Sequence, residues 1–411
     1  MNELLKDRKN LLASAGVLAA AVAILAVVIP DALSMRQPDV IHKGPGVTEV
    51  RRLSDFFDGI AGTKGDTEVY VLDSGKPGAS ALILGGTHAN EPAGYLTAVL
   101  FVENAVPAAG KLYVIPTANA SAMTHTDYME GTPRKFSIDT PAGPRSFRFG
   151  SRATSPADQW PDPDIYVHAS SGQRLSGSET RNLNRAFPGR ADGTFTEKVA
   201  FAITSLIRKE KIQITIDLHE ASPEYPVVNA IVAHDRAMKI ASIALLNLEM
   251  DDIAIGVEPS PTNLRGLSHR ELGDATETLA LLFESTNPSQ GRLRGVTNEA
   301  LIVEGKDDMY LAAHKLGRLF VPFGPEGEPL KKRVARHVSA TQAVFEAFGS
   351  EMPERPLVVG AMPSYKDLLG NGIGHYLKAP KATKATKTAA SDTRIPMRQL
   401  ADAGELAARN R

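Results

Sequence analysis

His88 and Glu91 stand three residues apart in the run Gly85-Gly86-Thr87-His88-Ala89-Asn90-Glu91-Pro92, directly after the apolar stretch 80–84. At a strand-to-helix junction, that spacing lets an imidazole and a carboxylate point to one place. Sites in open α/β sheets lie beyond the carboxyl ends of the strands. A second apolar stretch, 212–218, ends on His219, and Asp217 is available to hydrogen-bond a ligand imidazole. Two histidines and one glutamate are a known ligand set for catalytic zinc, with the fourth position left open. A third apolar stretch, 279–283, ends on Glu284. A carboxylate beside a metal site can act as general base, then as general acid to a leaving amine.

The run Arg181-Asn182-Leu183-Asn184-Arg185 gathers two arginines and two asparagines in five positions. Arginine holds carboxylates through two parallel hydrogen bonds, and asparagine can donate to a developing oxyanion. The chain has no cysteine, which excludes disulfides, iron–sulfur clusters, thiolate zinc sites and cysteine nucleophiles. A metal must therefore be held by His, Asp and Glu. The formal net charge of -1 gives no argument for a nucleic-acid partner.

The elements that position these residues follow from periodicity. Residues 67–72, 80–84, 111–115, 212–218 and 279–283 read as strands, and 91–104 and 330–348 as helices. Strands alternating with helices predict an α/β fold with a mostly parallel or mixed sheet. Residues 120–180 break this rhythm. They are rich in Ser, Thr, Pro, Gly and Arg and hold the one tryptophan, Trp160. A long irregular stretch inside a compact domain is usually functional or mobile.

Residues 11–29 carry no charge and no proline, and Lys6, Arg8 and Lys9 precede them. A run of about 20 apolar residues spans a bilayer, and the positive flank stays in the cytoplasm. The expectation is a transmembrane anchor with residues 1–10 cytoplasmic. A signal peptide cleaved near Ala32-Leu33-Ser34 is the alternative. Residues 30–64 read as a linker and lead-in, 65–325 as the catalytic domain, 326–378 as a helical region, and 379–411 as a basic low-complexity tail.

Taken in order, Gly85–Glu91, Asn182–Phe187, Ile216–Glu220 and the strand-end Glu284 resemble the zinc carboxypeptidases, more closely their succinylglutamate desuccinylase/aspartoacylase branch. The resemblance covers roughly residues 65–325. It implies a mixed, twisted sheet flanked by helices. It implies zinc held by His88, Glu91 and His219, a catalytic carboxylate at Glu284, and a substrate carboxylate on Asn184 and Arg185. Arg185 or a nearby arginine would polarise the scissile carbonyl. A further substrate-binding arginine is expected upstream, at Arg174 or Arg181. Ala89 stands where that branch usually has Gly, and Asn182 where it usually has Asp. Both are expected to lie away from the ligands and to bear on substrate rather than chemistry.

The expected activity is hydrolysis of an amide next to a free carboxylate, in a peptide or an N-acyl amino acid. A membrane-anchored catalytic domain on the periplasmic or otherwise exported side is expected. The reading from another class is a catalytically silent, membrane-anchored protein that binds zinc and peptide.

Overall fold

The computed structural model describes residues 2–128 and 130–379. The basic tail lies outside the described residues. An eight-stranded sheet forms the centre of the fold. In chain order its strands are β1 (Glu49–Arg52), β2 (Glu68–Asp73), β3 (Ser80–Leu84), β4 (Lys111–Ile115), β5 (Ile214–Ala221), β6 (Ala230–Ala233), β7 (Gly256–Pro259) and β8 (Leu279–Thr286). In space the order is β1-β2-β4-β3-β5-β8-β6-β7. The four central strands β4, β3, β5 and β8 are parallel, whereas β2 and β6 run antiparallel to their inner neighbours. The sheet is therefore mixed, as the sequence predicts.

The central strands are covered on both faces, which is why they read as unbroken apolar runs rather than alternating ones. Every residue of β5 is buried. Alternation decides which face each side chain meets. Ala81, Ile83, Ile214, Ile216 and Leu218 face one core with α2 (Pro92–Asn104), α4 (Met238–Met250) and the long helix α6 (Leu330–Glu351). Leu82, Leu84, Tyr113 and Ile115 face a second core with α3 (Phe195–Glu210), and Ala280 meets Leu272 of α5 (Ser268–Ala275) there.

α2 is apolar all round because it is wedged between the sheet and α6; a one-sided surface helix would show a polar stripe. Its fit depends on Gly94. A Cβ at Gly94 would stand 2.2 Å from the carbonyl oxygen of Leu218 in β5. The missing side chain lets the helix that starts beside Glu91 lie directly on the strand that carries His219.

α1 runs from Asn2 to Ser34 and continues through Pro30, four residues beyond the proline where the apolar run ends. Its segment Asp7–Ser34 is long and apolar enough to cross a membrane, and none of it is buried against the rest of the chain. The lead-in then packs firmly. Met35 is buried, and Asp39 accepts from Tyr95 at 2.8 Å and pairs with Arg148 at 3.2 Å. Residues 120–180 contain two small hairpins, 135–148 and 165–176, among irregular segments.

Candidate active site

β3 and β5 are adjacent and parallel, and their connections leave in opposite directions across the sheet: β3 leads through α2 to β4, and β5 leads on to the β8 side. A crevice opens beyond the carboxyl ends of such a strand pair. His88 follows β3, His219 lies near the end of β5, and Glu284 sits directly across from His219 in the β5–β8 register.

The three proposed ligands converge. His88 Nδ1 lies 2.7 Å from Glu91 Oε1, and His219 Nδ1 lies 2.9 Å from Glu91 Oε2. The two rings meet edge to face with centroids 4.7 Å apart. One ligand atom from each of the three residues falls within 4.8 Å of the others, and all three are buried. Glu91 occupies the N-cap position of α2 without capping it. Its carboxylate is turned instead to the two imidazoles and to the Glu220 backbone N–H at 3.0 Å.

The far nitrogens of both rings are also held. His219 Nε2 lies 2.9 Å from Asp217 Oδ2, and Thr87 donates to Asp217 Oδ1 at 2.7 Å. Asp217 and His219 are two apart on one strand, so they share a face. His88 Nε2 lies 2.9 Å from Asn182 Oδ1. This corrects the expectation that Asn182 stands clear of the ligands. The Leu183–Arg185 turn folds Asn182 back, with its Oδ1 also accepting the Asn184 N–H at 3.0 Å.

These contacts test whether a cation fits. Asn182 Nδ2 donates to Glu179 at 2.7 Å, which fixes the amide so that Oδ1 faces His88. That oxygen only accepts, so the His88 proton sits on Nε2. The Nδ1 lone pair then faces a carboxylate oxygen at 2.7 Å, a repulsive contact unless a positive charge lies between them. Burial, with Arg152 next, pushes the His88 imidazolium down to about 4, so a second proton is a poor answer. Burial would also lower His219, but Asp217 and Glu91 outweigh it and hold its imidazolium well above the ordinary value. That proton lies on the His219 side of Glu91, and the short His88 Nδ1–Glu91 Oε1 contact is left as the place where a bound cation would fit, with the Arg152 guanidinium 3.9 Å from the same oxygen. Two Nδ1 atoms and a carboxylate suit zinc.

Glu284 completes one wall. Its Oε2 is buried with no hydrogen-bond partner, and burial pushes its carboxyl up to about 8 against the pull of His219. Arg185 lines the same cavity of about 390 Å3, with its guanidinium 3.7 Å from Glu179 and bonded to the Asn184 carbonyl at 2.6 Å. Asn184 also lines it, and its Oδ1 accepts from the Ser268 N–H at the start of α5.

The upstream arginines divide differently from the expectation. Arg174 is exposed on a short hairpin strand and does not line the cavity. Arg181 is tied to Asp162 through two bonds of 2.7 and 2.9 Å and to the Thr154 carbonyl. The structure brings Arg152 to the site instead, with its Nη1 3.9 Å from Glu91 Oε1. Its position comes from backbone pairing beside His88: Ala89 N–H bonds the Ser151 carbonyl, and Gly150 N–H bonds the Ala89 carbonyl, both at 3.0 Å. A Cβ on Gly150 would stand 2.4 Å from the Ala122 carbonyl oxygen and 2.6 Å from the Ala89 methyl. Nothing local in the sequence links Arg152 to His88; the glycine before Ser151 is the one faint cue.

No family model matches the chain, and no curated protein matches it. Among solved structures it is similar to succinylglutamate desuccinylase, aspartoacylase and metallo-carboxypeptidase proteins. A succinylglutamate desuccinylase from Silicibacter sp. TM1040 is 14% identical, with 73% of this chain and 63% of that one covered at a TM-score of 0.38. A metallo-carboxypeptidase from Burkholderia cenocepacia is 11% identical, with 78% and 68% covered at 0.42. An aspartoacylase family protein from Mesorhizobium loti is 18% identical, with 64% of each chain covered at 0.33. The chain spans a little under two thirds of the desuccinylase and of the aspartoacylase family protein. At these scores the case for function rests on the side chains themselves.

Proposed function

We propose that this chain is a zinc-dependent hydrolase of an amide bond next to a free carboxylate, acting as a carboxypeptidase or an N-acyl amino acid deacylase. The observation that carries this is the convergence of His88, Glu91 and His219 with an unpartnered Glu284 carboxylate across the strand register. Zinc held by those three residues would polarise the scissile carbonyl and acidify a water. With the charge of a bound zinc offsetting the burial that raises its carboxyl, Glu284 would be ionised, take the proton of the attacking water and return it to the leaving nitrogen. Arg185 and Asn184 hold the substrate carboxylate, and Arg152 or Arg185 steadies the charge that develops on the carbonyl oxygen.

A second cavity favours a peptide over a small acyl amino acid. A groove of about 1130 Å3 meets the inner cavity at Arg152 and Gln290 and runs past Arg181 to the exposed Trp160. An acetyl or succinyl group would leave it empty, whereas several residues of peptide fill it. Stem peptides of peptidoglycan or scavenged peptides suit an exported enzyme. The apolar segment 11–29 of α1, exposed along its length and preceded by Lys6, Arg8 and Lys9, supports a membrane anchor with the catalytic unit on the exported side.

The test is zinc-loaded protein on a panel of peptides and N-acyl amino acids read by mass spectrometry, beside Glu284→Gln. Release of a carboxyl-terminal residue by the wild type alone is expected. Equal inertness of the two proteins would overturn the proposal.

A further inference from the structure

His269 lines the inner cavity on α5, one residue beyond the Ser268 N–H that holds Asn184. Its Nδ1 lies 2.7 Å from Ser260 Oγ. The Nε–H of Arg270 donates to the same Oγ at 3.1 Å, and Arg270 also bonds the Ser260 carbonyl. Arginine never accepts, so Ser260 Oγ is the acceptor there. The serine proton then has His269 Nδ1 as its one partner, and it must be used because the hydroxyl is buried. Nδ1 accepts, the ring proton sits on Nε2, and no protein acceptor among the described residues takes that proton. Burial, with His219 next, keeps His269 from charging, down to about 3.

The cavity around this donor is otherwise apolar on one side, with Val232, Leu264, Leu267 and Leu282 in its wall. Arg270 is matched by Asp235 at 3.4 Å and Asp274 at 3.5 Å, and Glu258 also lines the cavity. A neutral N–H in a cavity whose lining also holds these aliphatic side chains and Glu258 suits a neutral acceptor on a short apolar stem.

We propose that His269 selects the residue released by the hydrolysis, its Nε2–H donating to a carboxamide or hydroxyl at the tip of that residue's side chain. Asn184 and Arg185 hold the main-chain carboxylate, and His269 reads the side chain from the next turn of the same cluster. The inference rests on the proposed hydrolase reading. Ser260 acts through His269 and is a positioning residue.

The test compares N-acetylated dipeptides that differ in the last residue, Gln, Leu or Glu, on zinc-loaded protein. Free glutamine, leucine and glutamate are titrated against the same protein by calorimetry. In the wild type, kcat/KM for Gln should exceed that for Leu and for Glu by roughly tenfold or more, since a buried donor left unpaired penalises the analogue. His269→Leu should collapse the Gln-over-Leu ratio to about one, with zinc stoichiometry and circular dichroism showing a folded chain. Ser260→Ala should weaken it in part, because the tautomer is no longer fixed. A wild type that hydrolyses all three dipeptides equally, or prefers Glu, overturns the inference and leaves the hydrolase reading standing. Hydrolysis of none, with the N-acyl amino acids of the wider panel equally untouched, overturns that reading; the glutamine titration then still judges His269, and no difference between wild type and His269→Leu sinks it too.

Discussion

Asn182 Oδ1 lies 2.9 Å from His88 Nε2, and this contact decides which nitrogen of His88 is left for a metal. A neutral carboxamide does here what a carboxylate often does behind a zinc-bound histidine. Asn182 is itself fixed by Glu179, so the orientation of His88 is set by a relay of two side chains.

Removing that relay should weaken metal binding. Asn182→Ala is expected to raise the zinc dissociation constant about 10–100-fold, the usual effect of losing such a partner. Asn182→Asp should not restore it, because the new carboxylate would face Glu179 where an amide N–H now donates at 2.7 Å. Adding Glu179→Gln to Asn182→Asp should. A chelator competition titration on the four proteins checks the order, and equal affinities throughout would refute the relay.

Zinc affinity should rise with pH. Without zinc at neutral pH, His219 carries a proton held by Asp217 and Glu91 against the cost of burial, while His88 is neutral. Zinc must displace that proton from Nδ1, so binding releases about one proton and tightens about tenfold per pH unit below the raised His219 value. The metal-free fold follows the opposite sign. Its share of stability from His219 is fully present below the ordinary histidine value and is lost as pH rises through the raised one. Calorimetry in buffers of different ionisation enthalpy measures the released proton. A binding enthalpy independent of buffer would contradict this account.

The two cavity arginines should separate kinetically. Arg185→Ala removes a group assigned to the ground-state carboxylate, so KM should rise at least tenfold with kcat less affected. Arg152→Ala removes the guanidinium 3.9 Å from Glu91, and if that group is the one that steadies the developing oxyanion, kcat should fall by about 10–1000-fold with KM changed less. The reverse split in steady-state kinetics would exchange their roles.

The central strands and the His88, Glu91, His219 and Glu284 positions are legible because buried parallel strands read as continuous apolar runs, with His219 and Glu284 at the ends of two runs and His88 and Glu91 just past the Gly85-Gly86 turn that ends a third. Register then does the rest: the partner of His219 in β8 is Glu284. Arg152 was not legible, because its approach to His88 comes from main-chain pairing between Ala89 and residues 150–151. Such bonds leave no trace in side-chain type. Asn182 was visible as a departure from the resemblance, but its contact depends on a turn that carries its side chain back across the site. His269 lacked any local pattern, since Ser260 and Arg270 make it a directed donor only once α5 is folded against the end of β7.

The charge pair beneath the metal residues gives the last expectation. Arg333 of α6 is fully buried and holds Glu220 Oε1 at 2.7 Å, while Glu220 Oε2 accepts from the Ala93 N–H at 2.8 Å. Burial pushes the Glu220 carboxyl up to about 7 even though Arg333 pulls it down. Arg333→Met would leave that carboxyl buried with no counter-charge, at a cost of about 3–5 kcal/mol. The damage should reach zinc, because the Glu220 backbone N–H holds Glu91 Oε2. Glu220→Gln combined with Arg333→Met should recover much of the loss, since a neutral amide no longer needs the guanidinium. Denaturant unfolding of the wild type, both single variants and the double variant measures the coupling. If the double variant is less stable than Arg333→Met alone, the pair is not what sets the position of β5 under the site.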